Sequence, residues 1–387
     1  ADRGRRARFG FDTLCKLHGC TKPLVSAAFL TLVDAGKVRL SDPVAKHVRF
    51  ADRVAVGSGG RARPVKTRAR LRDLLTMTAG LGYEDTEAYA AIMQKIRSGD
   101  IADLAGLCDA LADLPLVSEP GGRYHYSFAT DVLGRVCEEV SGMRLDKFLE
   151  HSLLRPLGMK DTHFVVPPRK RQRAAVLYRA SPADAAAAAG RAPFVLRRWS
   201  HADRAPGIMS GGGGILSYED PGLWSTVQDY ARFCQLLLDD GLAPGGRRVL
   251  RPATARALWR DGLAPCARRG GRVPGWNDSD GPGTRGGFWD YTGCSLLHSH
   301  LEFREPPSSA KRARTARSMW MAGGGGCSWA VDRGREMAAL TFYQCFDGRA
   351  SEEDGLGALG NDAAPYAREA VDGRGRARGG RAAQRGA

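Results

Sequence analysis

A lysine in the first turn of an apolar helix is the feature that most constrains this chain. Apolar residues follow Lys22 at helical spacing, and Gly36 ends the run. Pro23 is compatible with this helix because proline is tolerated in a first turn. The lysine is preceded by Gly19-Cys20-Thr21, and residues three apart on a helix share a face. The apolar positions are Leu24, Val25, Ala28, Phe29, Leu32 and Val33.

In a Ser-x-x-Lys arrangement, the lysine can take the proton of the serine, whose backbone N–H helps to form an oxyanion hole. The lysine must then be partly neutral, which burial can arrange. Here Gly19 stands at the serine position, so nucleophilic catalysis cannot occur there. Cys20 is about 200° around the helix from Lys22 and is predicted to be a packing residue. His18 is predicted to precede the helix.

Composition and charge restrict the function classes. The net charge is +16, from 58 Lys and Arg against 42 Asp and Glu, but the basic clusters are scattered and lack interleaved aromatic residues. We therefore expect no specific nucleic-acid groove, although an Arg/Gly-rich tail keeps an RNA-associated protein as an alternative. No apolar run is long enough to span a bilayer. The sequence does not set the oligomeric state.

Nine cysteines lie far apart without a C-x-x-C pair, which favours reduced thiols in a reducing intracellular compartment. No His, Asp or Glu spacing predicts a metal site, and no phosphate-binding loop predicts a cofactor. A late hairpin is predicted from Cys327–Val331 and Met337–Cys345. The sequence predicts three parts: a basic disordered start (1–10), one domain (11–347) and a mostly disordered Arg/Gly-rich tail (348–387). Within the domain, a helix-rich part spans about 80–225, and loops are predicted at about 169–206 and 262–316.

An ordered set of motifs over residues 11–347 resembles the β-lactamase-related serine hydrolases, which include class C β-lactamases, DD-peptidases and related esterases. The resemblance implies an α+β fold of the β-lactamase/transpeptidase type, with an antiparallel sheet flanked by helices and a helix-rich subdomain. The motifs are Gly19 to Val44, Leu74 to Leu81, Pro120 to Ser127, Thr130 to Gly134, Pro156 to Thr162, Ser225 to Tyr230 and Met321 to Gly324.

The resemblance also implies site residues. Tyr126 matches the family tyrosine that shares the proton relay with Lys22, and Tyr124 is the weaker match because the Tyr-Ser pair sets the register. The expected substrate-binding residues are Ser127, Ala322, Gly323 and Gly324, the last three supplying backbone groups for an oxyanion hole. A cationic residue is absent from this third motif, which disfavours penicillin-like substrates. The neighbouring His298 and His300 are predicted to be exposed loop residues.

Two departures from the family shape the functional hypotheses. Family members have a strand hairpin before the lysine helix, and here those strands are expected to be missing, which would leave the late hairpin with an open edge. The first hypothesis is a degenerate member that lacks acyl-enzyme chemistry because of Gly19. The alternative is an active esterase or amidase that acts on small esters or amides through Lys22 and Tyr126, with an unconventional nucleophile or water.

Overall fold

The computed structural model describes residues 8–55, 61–83, 87–182, 194–198, 222–263, 294–302, 315–323 and 325–347. Short 3-10 helices occur at His18–Cys20, Val44–Lys46 and Pro168–Arg173, and a π-helical turn occurs at Glu150–Leu154. The α-helices are α1 (Thr21–Asp34), α2 (Leu71–Leu75), α3 (Glu87–Ser98), α4 (Leu104–Ala112), α5 (Ala129–Ser141), α6 (Leu145–Leu149), α7 (Arg155–Leu157), α8 (Val227–Leu238) and α9 (Pro252–Ala257).

The strands form four separate sheets among the described residues. A four-stranded antiparallel sheet has the order β10-β9-β8-β7, and the smaller sheets are β1-β6, β2-β3 and β11-β4-β5. The strands are β1 (Cys15–Lys16), β2 (Arg53–Val54), β3 (Arg63–Pro64), β4 (Tyr178–Pro182), β5 (Phe194–Arg198), β6 (Trp224–Ser225), β7 (His300–Glu302), β8 (Ser318–Gly323), β9 (Cys327–Asp332), β10 (Met337–Phe342) and β11 (Cys345–Asp347).

Helix α1 is central and is buried along nearly its whole length. It packs against α5 and α6, and Gly36, with φ +71°, follows its end. That conformation suits glycine, which has no Cβ to clash. The predicted helix from Lys22 to Gly36 is therefore present, with its first residue one position earlier.

The predicted late hairpin is confirmed by β9 and β10, which pair from Cys327↔Phe342 to Asp332↔Met337. Helix α8 packs on both strands, and its Tyr230 and Phe233 contact Trp329 of β9. These large, fully buried side chains fix the helix against the sheet. Within the described residues, β10 is an edge strand of this sheet.

Both segments predicted as loops contain strands. Within 169–206, β4 pairs with β5 and also lies parallel to β11, and within 262–316, β7 pairs with β8. Strand signals are weak in these segments because the strands are short and form through pairing with other segments rather than through a local pattern. The tail at 348–387 and most of the 1–10 segment lie outside the described residues.

Candidate active site

Lys22 and Tyr126 meet at the junction of α1 and α5. The Lys22 ammonium donates a hydrogen bond of 2.5 Å to the Tyr126 hydroxyl, and Nζ lies 4.8 Å from the centre of the tyrosine ring. Tyr83 packs edge-on against the same ring, with centroids 5.4 Å apart. Sequence reasoning identified Lys22 and Tyr126 but did not include Tyr83, which no family motif marks.

Burial dominates the chemistry of the lysine. Lys22 is only 1% exposed, and this desolvation lowers its pKa from an ordinary 10.5 to about 8, although the nearby Asp131 carboxylate opposes the shift. Burial also raises the pKa of Tyr126 well above 10, so the phenol stays protonated. A fraction of the Lys22 side chains is therefore neutral near neutral pH. That form is the one required of a base or a nucleophile.

Position 19 faces this amine. A Cβ on Gly19 would lie 3.6 Å from Lys22 Nζ, 3.6 Å from Gly323 Cα and 3.1 Å from the Ala322 carbonyl oxygen. Gly19 lies in the 3-10 turn directly before α1, and its φ is outside the left-handed region, so an L-residue fits its backbone. A serine here would reach the lysine, as the Ser-x-x-Lys geometry requires.

The backbones of β8 and the 3-10 turn approach each other unusually closely. A Cβ on Gly323 would lie 2.2 Å from the Leu17 carbonyl oxygen and 3.2 Å from the Gly19 nitrogen. No side chain fits in that space, so only glycine allows the strand to lie against the turn. This contact places Ala322 and Gly323 beside position 19, and their substrate-binding role stays a prediction.

Hydrogen bonds to three distant parts of the chain hold the turn in place. Tyr230 of α8 donates a 2.9 Å hydrogen bond to the Cys20 carbonyl oxygen, and the Thr21 hydroxyl accepts one of 3.0 Å from the Leu223 N–H. The Gln344 amide pairs with both backbone groups of Lys16. The candidate site is thus built from buried hydrogen bonds between α1, α8 and the sheet.

The other candidate residues lie as follows. The Cys20 thiol is directed to the Cys327 carbonyl oxygen at 3.3 Å, and burial raises its pKa to about 12, so it is a packing residue. The Ser127 hydroxyl contacts Met77 Sδ at 3.6 Å, so its substrate-binding role stays a prediction. His18 packs against Gly325. Gly324 lies outside the described residues.

The expectation that His298 and His300 are exposed is wrong. His298 is 5% exposed; its Nε2 lies 2.7 Å from the Leu74 carbonyl oxygen and its Nδ1 lies 3.0 Å from the Ser26 hydroxyl. Since a carbonyl only accepts, Nε2 carries the proton and Nδ1 accepts from Ser26. Burial lowers its pKa from 6.5 to about 3, so the ring is neutral and links α1 to α2.

His300 is buried for a different reason. It pairs across the sheet with Trp320, and the two rings stack with centroids 4.2 Å apart. The pairing of β7 with β8 therefore buries the His300 ring against Trp320. The sequence showed a Gly- and Arg-rich segment here and gave no alternating pattern strong enough to reveal a strand.

The family model described as Beta-lactamase matches residues 1–361. The chain belongs to the beta-lactamase family. An uncharacterised protein of Mycobacterium tuberculosis is 35% identical over 67% of this chain and 62% of its own length. The esterase EstB of Burkholderia gladioli is 36% identical over 43% of this chain and 42% of its own.

Solved structures of this beta-lactamase fold cover nearly the whole chain. A simvastatin synthase variant from Aspergillus terreus has a TM-score of 0.67 at 22% identity, over 96% of this chain and 88% of that one. EstCE1, described as a hydrolase with promiscuous acyltransferase activity, has a TM-score of 0.64 at 20% identity, over 94% and 87%. The predicted fold class is confirmed.

The described residues have three further properties that concern metal binding, membrane crossing and thiol chemistry. They contain no cluster of three or more His, Cys, Asp or Glu side chains able to hold a metal ion. No helix among them is both long and apolar enough to cross a membrane. Seven cysteines are free and buried, and burial raises the pKa of Cys20 and Cys327, which keeps both thiols protonated.

Proposed function

We propose that this beta-lactamase-family protein binds small esters or amides at Lys22 and Tyr126 without turning them over through an acyl-enzyme. One observation carries the proposal: position 19 faces Lys22 Nζ at 3.6 Å and has no side chain to acylate. The esterase and acyltransferase names among the relatives support an acyl compound as the ligand. Those names describe the activities of the relatives, and this chain matches only part of the length of each.

The test compares the wild-type protein with Gly19→Ser and Gly19→Ala on short-chain nitrophenyl esters and a chromogenic cephalosporin. We expect no steady turnover by the wild type or the alanine variant. The serine variant should hydrolyse the esters at least about a hundredfold faster, because it alone supplies a hydroxyl beside Lys22. The alanine variant is the matched control, since it adds the same Cβ without the nucleophile.

Steady wild-type turnover that Lys22→Ala abolishes would refute the proposal. It would favour the second candidate, a hydrolase in which Lys22 and Tyr126 activate water. The short hydrogen bond between these residues and the lowered pKa of Lys22 are the observations behind that candidate. If no variant hydrolysed an ester and none bound one in a thermal-shift assay, the ligand class would be wrong.

A further inference from the structure

A surface cavity of about 280 Å³ lies at the end of α1 opposite to Lys22. The last turn of α1, the end of α5, the π-helical turn and residues 247–249 surround it. At 1.5 Å per residue, about 20 Å of helix separates it from Lys22. We propose that this cavity binds a small carboxylate with a short apolar chain. The inference goes beyond the proposed function, because neither Lys22 nor Tyr126 lines the cavity.

The floor of the cavity is apolar. Leu32 and Phe148 line it, and each is only 4% exposed. The hydroxyls beside them are already engaged: Thr31 donates to the Ala28 carbonyl oxygen and Ser152 to that of Phe148, both at 2.7 Å. Because these hydrogen atoms are used within the helices, the floor suits a hydrocarbon chain better than a polar group.

The rim of the cavity is cationic. The exposed side chains of Lys37, Arg247 and Arg248 line it, and none of the lining residues that the structure describes is acidic. The Arg248 guanidinium donates to the carbonyl oxygens of Asp240 and Leu250, which holds it in place. No described carboxylate forms an ion pair with Lys37 or Arg247. A carboxylate is therefore the complementary ligand group, and an ammonium ligand is disfavoured.

The π-helical turn adds a further donor to this rim. It carries His151, whose Nδ1 lies 2.9 Å from the Arg155 guanidinium. A guanidinium only donates, so Nδ1 accepts and Nε2 carries the hydrogen of the neutral ring. Turns of this type are rare in helices and frequent at functional sites. The turn is thus a second feature, beside the charges, that favours a binding role.

The cations are not required as helix caps. At the end of α1 the Lys37 backbone N–H donates to the Leu32 carbonyl oxygen at 3.0 Å, and at the end of α5 the Gly142 N–H donates to that of Glu138 at 2.8 Å. Backbone groups therefore already cap both helices. The side-chain charges of Lys37 and Arg247 are left for a ligand.

The volume sets the size of the ligand. At about 30 Å³ for each water-sized group, the cavity holds about nine such groups, which matches a carboxylate with a chain of about six carbons. Each CH₂ that enters the floor should tighten binding about fourfold. Acetate is too short to use the floor, and a much longer chain would project into solvent.

The experiment titrates the full chain with hexanoate and measures Kd by isothermal titration calorimetry, with acetate, 1-hexanol and hexylammonium as comparison ligands. We expect hexanoate to bind with a Kd at least about tenfold lower than acetate, which lacks the chain, or 1-hexanol, which lacks the charge. Hexylammonium should not bind, because it would meet like charges at the rim.

Three variants test the location. Replacing Lys37 and Arg247 together by glutamine should raise the Kd for hexanoate at least about tenfold, whereas Arg39→Gln, a matched change of an exposed cation outside the cavity, should leave it unchanged. Ala35→Trp should abolish binding, because Ala35 is an exposed lining residue and the larger side chain would fill the space. Circular dichroism and urea denaturation verify that each variant is folded.

The outcomes distinguish this cavity from the candidate active site. Hexanoate binding that survives both Ala35→Trp and the double glutamine change, or that Arg39→Gln weakens equally, would overturn the inference. Loss of binding in Tyr126→Phe would place the carboxylate at the candidate active site and overturn it as well. Equal affinity for hexanoate and 1-hexanol, or no binding of hexanoate by the wild type, would also refute it. None of these results bears on ester turnover at position 19, which tests the proposed function separately.

Discussion

Replacing Lys22 by methionine should stabilise the protein. A tenfold change in a protonation equilibrium is worth about 1.4 kcal/mol, so lowering a lysine pKa from 10.5 to about 8 costs about 3 kcal/mol of folding free energy while the group is charged. Lys22 is 1% exposed, so solvent screens little of this cost. Methionine has a similar length and fills the same space without a charge.

The stability difference between Lys22→Met and the wild type should depend on pH in a characteristic way. Between pH 8 and 10.5 the unfolded state holds more protons on Lys22 than the folded state does, so wild-type stability gains from rising pH in that window. Below pH 8 the lysine is charged in both states and the whole cost is present. The variant has no such group. Its advantage over the wild type should thus be about 3 kcal/mol at neutral pH and should shrink above pH 8.

Urea denaturation of both proteins across this pH range measures the difference. Other titrating groups, such as the buried cysteines, contribute nearly equally to the two profiles and cancel in the comparison. Lys37→Met makes the same change on an exposed lysine and should alter stability by less than about 0.5 kcal/mol. A destabilised Lys22→Met protein, or a constant difference between pH 7 and 10.5, would refute the reasoning.

Three further changes test the supports of the site. Gly323→Ala should lower the free energy of unfolding, measured by urea denaturation, by roughly 1–3 kcal/mol, because its Cβ would meet the Leu17 oxygen at 2.2 Å. Gly19→Ala should cost less, because its nearest contact would be the Ala322 oxygen at 3.1 Å; equal costs would contradict the close approach at Gly323. His298→Ala should lose about 2 kcal/mol, since it leaves buried groups on Ser26 and Leu74 without their partner, and His298→Gln should recover part of it. Burial raises the pKa of Asp161, but hydrogen bonds from Arg173 and Lys170 outweigh it and lower the pKa to about 2. Asp161 therefore stabilises the fold above pH 4, and this contribution should fade toward pH 2 in the wild type and be absent in Asp161→Asn.

Local sequence patterns predicted the elements whose signals lie within a short stretch of the chain. The apolar spacing after Lys22 identified α1, and the turn at Asp332 to Arg335 identified the β9–β10 hairpin, because helix period and hairpin turns are short-range signals. The ordered motifs supplied the fold and the Lys22–Tyr126 pair. Residue spacing alone could not have predicted that Lys22 and Tyr126, which are 104 positions apart, are in contact.

The features that local patterns did not predict depend on tertiary contacts. Strand β7 forms by pairing with β8, which stacks His300 on Trp320. His298 is buried instead by its contacts with Ser26 and Leu74, and neither burial is visible in a segment that looks like an exposed loop. Tyr83 belongs to the site only because it packs on Tyr126. Burial of the lysine itself, which lowers its pKa, arises from packing that no motif encodes.

The framework of the site is independent of the side chain at position 19. Gly323 lets β8 lie directly against Leu17 and the turn, and Tyr230 anchors the carbonyl of Cys20 from the other side. Neither contact involves a residue 19 side chain. The missing hydroxyl therefore leaves the backbone, the Lys22 amine and the Tyr126 hydroxyl in their positions, and only the nucleophile itself is absent. For that reason, changes at position 19 should alter the chemistry of the cleft much more than the stability of the fold.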